Sequence, residues 1–220
     1  MEHPGTEILL GAKTYRAEGE PLVGLRQTAL LIDRRERIIG RYHKRVLMPF
    51  GEYLPGQGWL PGIDRLFPVP PPMQAGEEAT VLETERGVKL GTMLCYEDMD
   101  SQCSRSLTRN SAEFLVCLIH AADLQSPFAL AQHRLLAQLR AVECRRYLLR
   151  CASTGETCVI SPLGTIVGRL PVQEQGCMTA SVARLAGETW YCLLPREFFP
   201  GVCCVVLGLP YMRRKFGSPT

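Results

Sequence analysis

The chain has 220 residues, of which 46% are hydrophobic, and its formal net charge is only +3. This length is enough to bury one sizeable core but is short for two. Because the net charge is small, the sequence lacks the basic field that nucleic-acid binding needs, and no nucleic-acid partner is expected. Cysteines such as Cys117, Cys144, Cys151 and Cys158 stand singly in apolar runs, and the four histidines lack metal-ligand spacing, so we expect no disulfide framework, no metal and no other cofactor.

The first part of the chain predicts strands and one long loop. Residues 7–15 and 28–33 are apolar and strand-like. The second of these is expected to form a hairpin with residues 38–42, across the charged segment 34–37. Prolines crowd together between residues 48 and 73, which predicts a long loop without regular structure.

The second part alternates strands with helices. Residues 88–95 predict a strand that runs into a turn, followed by a helix over 97–108 and a buried strand over 113–119. An amphipathic helix is predicted over 127–146, with its apolar residues three or four positions apart at Phe128, Ala131, Leu135, Leu139 and Val142. Short strands should follow at 147–152, 157–161, 164–170 and 177–182. This order indicates an α/β domain.

Cys95 is a candidate nucleophile. It lies in the sequence LCYED, at the end of a predicted strand where the chain should turn into a helix. Such a turn exposes a side chain and presents backbone N–H groups to an oxyanion. A free thiol has a pKa near ~8.5, so at neutral pH it needs a neighbouring base or cation to become a nucleophile.

Lys44 and Glu52 are candidates for that help. Both lie in YHKRVLMPFGEYLPG, with Lys44 just past a predicted strand and Glu52 in the proline-rich loop. A lysine aimed at a developing oxyanion supplies charge where the transition state needs it, and a neighbouring carboxylate fixes its position. Pro49 and Gly51 permit a tight chain path between the two residues.

These motifs in combination closely resemble the nitrilase superfamily, and in particular its apolipoprotein N-acyltransferase branch. There a lysine leads into a PFGE loop and the nucleophile stands in a C-Y-E sequence, as at Lys44, Glu52 and Cys95. Further matches follow in order as Gln132-His133, RAVE, LLRCASTG and VISPLGTI. The resemblance covers about residues 5–185. It implies an α/β fold, a nitrilase-like α-β-β-α four-layer sandwich that is N-terminally incomplete.

The resemblance also implies roles for individual residues. Cys95 would take an acyl chain from a phospholipid as a thioester, and Lys44 would stabilise the tetrahedral oxyanion. Glu52 would orient the lysine and assist proton movements. Tyr96 and Glu97 match residues beside the nucleophile that shape the substrate-binding site. The acyl acceptor would be the N-terminal amine of a diacylglyceryl-cysteine lipoprotein.

Two departures from the family pattern keep other functions open. The general-base glutamate of the N-acyltransferases lies farther upstream of the lysine than the 43 residues that precede Lys44. In the loop 118–125, His120 and Asp123 stand where the family usually has Asn-Asp and aromatic residues. A truncated or inactive acyltransferase, a soluble nitrilase-type amidase and a catalytically dead nitrilase-like module therefore remain as alternatives.

The end of the chain is hydrophobic. Residues 198–212 are apolar but fall short of the roughly 20 residues that cross a bilayer. We expect a nitrilase-like domain over 1–188 that lacks its N-terminal part, and a C-terminal hydrophobic tail over 189–220 that either spans the membrane or packs as a buried or surface segment. The resemblance places the domain on the periplasmic face of the bacterial inner membrane. The cations Arg213, Arg214 and Lys215 would then lie on the cytoplasmic side.

Overall fold

A computed structural model describes most of the chain. The described residues are 5–15, 24–56, 59–60, 62–67, 73–120, 126–172, 174–195, 197–198, 201–204 and 206. Two β-sheets and their flanking helices make up this part of the chain.

The first sheet is antiparallel and has the order β1-β2-β3, with β1 at Ile8–Thr14, β2 at Arg26–Ile32 and β3 at Ile38–His43. The predicted hairpin between β2 and β3 is confirmed. Asp33 closes its turn, because one carboxylate oxygen accepts the backbone N–H groups of Arg35 and Arg37 at 2.8 Å each. The charged segment between the two strands therefore has a local structural role.

The second sheet has the order β4-β5-β6-β7-β8-β9. Its strands are β4 (Leu82–Glu83), β5 (Lys89–Leu94), β6 (Phe114–Ile119), β7 (Leu148–Ala152), β8 (Cys158–Ile160) and β9 (Ile166–Arg169). The central pairs β5–β6 and β6–β7 are parallel, and the outer pairs are antiparallel. The carboxyl ends of β5, β6 and β7 therefore meet at one edge of the sheet.

The two sheets share one core. Leu31 and Tyr42 of the first sheet belong to the same buried cluster as Met93 and Leu115 of the second. The closeness is visible at Gly40, where an added Cβ would lie 3.0 Å from the side chain of Leu82. The sheets thus pack face to face, as the predicted sandwich requires.

The helices include α1 (Ile63–Leu66), α2 (Ser101–Arg109), α3 (Pro127–Cys144) and α4 (Trp190–Leu193), and the described residues 198, 201–204 and 206 are also helical. α2 and α3 pack against the second sheet. The helix predicted over 97–108 is wrong in its first part. A 3₁₀ turn spans Cys95–Met99, and α2 begins only after it, because the side chain of Asp100 caps the backbone N–H of Gln102 at 2.7 Å. The strand predicted over 177–182 is not formed.

α3 begins where it was predicted, with Ser126 as its N-cap, but its apolar stripe is not its buried face. The residues buried along it are His133, Ala137, Arg140, Ala141 and Cys144. Four residues of the stripe are exposed, with exposed fractions of 77% for Phe128, 55% for Leu135, 50% for Leu139 and 42% for Val142. Two polar side chains turn inward because each finds a buried partner. His133 meets Asp98, and Arg140 donates to the carbonyl of Met99.

The structure describes the hydrophobic end of the chain only in part. Among the described residues, no helix combines the length and the apolar character needed to cross a bilayer. The predicted cation cluster at 213–215 lies outside the described residues.

Candidate active site

Cys95 is the first residue of the 3₁₀ turn that directly follows β5. Its φ of 50° is in the left-handed region, which a residue with a Cβ adopts only when its surroundings enforce it. The side chain is half-buried, and its Sγ lies 3.6 Å from the carbonyl oxygen of His120 at the end of β6. The backbone thus presents this thiol at the carboxyl edge of the parallel strands.

Glu97 holds this turn in place from the buried side. One carboxylate oxygen accepts the backbone N–H groups of Arg45 at 2.6 Å and Val46 at 3.1 Å, and the other accepts that of Leu94 at 2.8 Å. The hydroxyl of Tyr42 donates to the same carboxylate at 2.9 Å. Burial raises the pKa of Glu97, although these donors oppose the shift. Glu97 therefore ties the end of β3 to the turn that carries the nucleophile candidate.

Lys44 and Glu52 form a buried ion pair, as the sequence predicted. Lys44 Nζ lies 2.6 Å from Glu52 Oε1, and Lys44 is only 1% exposed. A tight turn brings the two together, because the backbone N–H of Glu52 donates to the carbonyl of Met48 at 2.9 Å. The N–H of Met48 in turn donates to Glu52 Oε2 at 2.8 Å. The PFGE segment thus folds back on itself and aims its carboxylate at the lysine.

Gln27 belongs to this group but was not found from the sequence. Its Nε2 donates to Glu52 Oε1 at 2.8 Å, and its backbone carbonyl accepts the N–H of Lys44 at 2.9 Å. A single glutamine near the start of a strand carries no signal that would mark it. Gln27 and Lys44 Nζ both contact Glu52 Oε1, so the glutamine helps to hold the carboxylate in place.

The charges of this ion pair reach the Cys95 thiol. Burial raises the pKa of Cys95, and the positive charge of Lys44 is the largest influence that lowers it. The carboxylates of Asp98 and Glu52 raise it. A base or a bound substrate must therefore add to the effect of Lys44 before the thiolate dominates at neutral pH.

A cavity of about 480 Å³ opens at Cys95. β1 forms one wall, and the carboxyl ends of β5, β6 and β7 form the other. The lining is largely apolar, and its polar side chains include those of Lys13, Gln27, His120 and Ser153. His120 Nδ1 and Ser153 Oγ lie 3.2 Å apart. Asp123, the other residue of the loop 118–125 that differs from the family pattern, lies outside the described residues. Over the part of the chain that the structure describes, no three His, Cys, Asp or Glu residues are grouped to hold a metal ion.

Tyr96 and Glu97, which the resemblance places near the substrate, do not line this cavity. Tyr96 is partly exposed next to Cys95, whereas Glu97 is fully buried with both oxygens engaged by the protein. The contacts of Glu97 therefore correspond to a positioning role and not to direct contact with substrate.

A second buried network supports the 3₁₀ turn. The carboxylate of Asp98 accepts from Arg150 Nε at 2.9 Å and pairs with the imidazole of His133. All three side chains are buried. His133 and Arg150 fall within matched segments of the sequence, but nothing there predicted that they meet at Asp98. This network anchors the turn to α3 and β7.

The two charges of the ion pair should have opposite effects on the pKa of Cys95, so removing one should raise this pKa and removing the other should lower it. Lys44→Met removes the charge that lowers the Cys95 pKa, so alkylation by iodoacetamide at pH 7 should slow several-fold. Glu52→Gln removes a charge that raises this pKa, so alkylation should become faster. The measurement is the pH profile of the labelling rate, with Cys95→Ala to identify the signal. Profiles that shift in the same direction for both variants would contradict this electrostatic account.

Known proteins resemble this chain in sequence. The family model described as carbon-nitrogen hydrolase matches residues 7–191. An apolipoprotein N-acyltransferase of Methylococcus capsulatus is 32% identical over 212 residues, which are 96% of this chain and 41% of that protein. A protein of the same name from Geobacter metallireducens is 31% identical and covers 84% of this chain and 35% of its own length. The chain thus spans less than half the length of these curated relatives.

Solved structures resemble it in fold. A carbon-nitrogen hydrolase from Helicobacter pylori superposes with a TM-score of 0.56 at 15% identity, over 76% of this chain and 60% of that one. An amidase of the nitrilase superfamily from Nesterenkonia gives a TM-score of 0.56 at 19% identity, over 77% and 58%. At these identities the likeness shows the fold alone, and it confirms the predicted nitrilase-like α/β sandwich.

Proposed function

Because the chain belongs to the carbon-nitrogen hydrolase family, we propose that it is an acyltransferase that uses Cys95 as its nucleophile. The acyl donor is a phospholipid, and the acceptor is the N-terminal amine of a diacylglyceryl-cysteine lipoprotein. The observation that carries the proposal is the buried Lys44–Glu52 pair, whose charge reaches the thiol on the strained turn. The names of the curated relatives favour acyl transfer over hydrolysis.

The proposed reaction has two steps. The Cys95 thiolate attacks the ester carbonyl carbon of the phospholipid, and a C–S bond forms while the carbonyl oxygen becomes an oxyanion. Lys44 stabilises that oxyanion, and its collapse breaks the C–O bond and releases the lysophospholipid, which takes up a proton. The lipoprotein amine then attacks the thioester. A C–N bond forms, the C–S bond breaks, and the amine loses its proton.

Other residues are assigned supporting roles. Glu52 orients Lys44 with the help of Gln27, and Glu97 keeps the nucleophile turn attached to β3. Tyr96 shapes the approach to Cys95. In the family that the chain resembles, the general-base glutamate lies farther upstream of the lysine than the 43 residues that precede Lys44 here. The proposal therefore assigns the general-base role to no residue of this chain.

The proposal includes the membrane. The nitrilase-like domain is taken to be residues 1–188, on the periplasmic face of the inner membrane. Residues 189–220 begin with α4, which packs on the domain, and the hydrophobic tail proposed to cross the membrane follows it, with Arg213, Arg214 and Lys215 at the cytoplasmic end.

The test is an acyl-transfer assay with detergent-solubilised protein, phosphatidylethanolamine and a diacylated lipopeptide. The chain is assayed as residues 1–220 and with any coding sequence found upstream of residue 1. Because burial raises the pKa of Cys95, we expect iodoacetamide to label it only slowly at neutral pH in residues 1–220, and we expect a triacylated lipopeptide from the longer form. Residues 1–220 alone should transfer slowly, since general-base help is typically worth about 100-fold to 10,000-fold.

Three other outcomes would revise the proposal. Release of free fatty acid, or hydrolysis of a short amide with no lipopeptide product, would identify an amidase or other hydrolase. Neither thioester nor product in any form would indicate a catalytically dead module. Robust transfer by residues 1–220 alone would show that the general base is already present in this chain.

A further inference from the structure

The segment that follows β9 is fastened to the helices by several polar contacts. Thr189 Oγ1 donates to the carbonyl of Glu143, near the end of α3, at 2.5 Å. Arg146 donates to the carbonyl of Gly187 at 2.5 Å, and the guanidinium of Arg105 lies 5.0 Å from the ring centroid of Tyr191. These contacts bring α4 against α2 and α3.

Two cysteines face each other in the middle of this contact. Cys144 is the last residue of α3, Cys192 lies in α4, and their Sγ atoms are 3.9 Å apart. Both residues are completely buried. The contact with Cys144 lowers the pKa of Cys192 to about 6, although burial opposes the shift, and the same contact raises the pKa of Cys144. Cys192 is therefore the more acidic thiol of the pair, and its thiolate is the form that would react with a disulfide.

We propose that Cys144 and Cys192 form a reversible disulfide that clamps α4 to the end of α3. A disulfide has an S–S distance of about 2.05 Å, so the two sulfurs must approach each other by about 2 Å. The thiols are already adjacent in the reduced fold.

The chemistry requires a disulfide oxidant such as oxidised glutathione. Because both sulfurs are buried, α4 must first open transiently from α3. The exposed Cys192 thiolate then attacks one sulfur of the oxidant, which forms a mixed disulfide and expels one glutathione thiolate. Cys144 then gives up its proton and attacks the Cys192 sulfur, which closes the protein disulfide and expels the second glutathione. Two protein thiols are oxidised, and one small-molecule disulfide is reduced to two thiols.

The clamp would stabilise the scaffold behind the nucleophile. It encloses residues 145–191, and α3 also carries His133, the partner of Asp98 in the 3₁₀ turn. Cross-linking a loop of this length lowers the entropy of the unfolded chain. The disulfide does not depend on acyl transfer, so its failure and the failure of the proposed function are separate results. A periplasmic location, if correct, would allow it to persist.

The test maps the bond directly. The protein is equilibrated with oxidised glutathione, denatured, alkylated and digested with trypsin, which places Cys144 in AVECR and Cys192 in LAGETWYCLLPR. We expect these two peptides to be recovered joined and reducible. The midpoint of thermal unfolding should rise by about 5–15 °C on oxidation. Cys144→Ala and Cys192→Ala should each abolish the rise.

Cys158→Ala is the matched control, since Cys158 is also completely buried but lies in β8, and it should keep the rise. The peptide mapping needs only the unaltered protein and is decisive even if a variant fails to fold. Three results would overturn the proposal. Both peptides could be recovered alkylated, each could carry a single glutathione, or each could be joined to a different cysteine.

Discussion

Replacing Cys95 by alanine should abolish acyl transfer in any form of the protein that shows it. The rate should fall by about 10⁵-fold to 10⁶-fold, the scale seen when a hydrolase loses its nucleophile, and so drop below the assay background. The reason is structural. The turn at the end of β5 presents the Cys95 sulfur to the cavity, and alanine at this position has no atom that could attack the acyl donor. The measurements are the lipopeptide product and the thioester adduct on the intact protein, both by mass spectrometry.

Cys151 makes this experiment discriminating, because it also lines the cavity and is exposed. An adduct that survives Cys95→Ala but disappears in Cys151→Ala would move the nucleophile to β7. Cys177→Ala is the matched control, since Cys177 is exposed but does not line the cavity, and it should retain transfer. Loss of transfer in this control would show that the assay responds to general damage.

The sequence predicted those parts of the fold and site that depend on local order along the chain. The strand before Cys95 and the turn after it follow from LCYED, and the return of the PFGE loop to Lys44 follows from Pro49 and Gly51. Gln27 could not be found in this way. Its place depends on the pairing of β2 with β3, which brings its carbonyl to the N–H of Lys44. That register is set by the packing of the whole sheet.

The buried side of α3 shows why apolar spacing alone can mislead. The stripe at Phe128, Leu135, Leu139 and Val142 satisfies the helical period, yet these residues are exposed. His133 and Arg140 are buried because Asp98 and the carbonyl of Met99 offset the cost of removing them from water. A sequence shows which residues are polar, but it does not show which of them will find a buried partner.

Asp98→Ala should destabilise the fold severely. The carboxylate is fully buried between Arg150 and His133, and Arg150 is only 4% exposed. Removing the carboxylate leaves a buried guanidinium without its counter-charge. Breaking a buried pair in this way typically costs about 3–5 kcal/mol, a large fraction of the 5–15 kcal/mol that stabilises an ordinary domain. The free energy of unfolding in urea should fall by that amount, with little change in the denaturant slope.

Two further variants show whether the buried charge is responsible. Asp98→Asn keeps the shape and one acceptor oxygen, so its loss of stability should be smaller than that of the alanine variant. Arg37→Ala breaks the Asp33–Arg37 ion pair, whose arginine is 62% exposed, and should cost at most about 1 kcal/mol. A cost below about 1 kcal/mol for Asp98→Ala would contradict a stabilising role for the network.

The Cys95 labelling rate in Asp98→Asn adds a second readout, because the negative charge of Asp98 raises the Cys95 pKa. Faster labelling together with reduced stability would mean that the fold keeps this carboxylate as an anchor for the turn, even though its charge disfavours the thiolate.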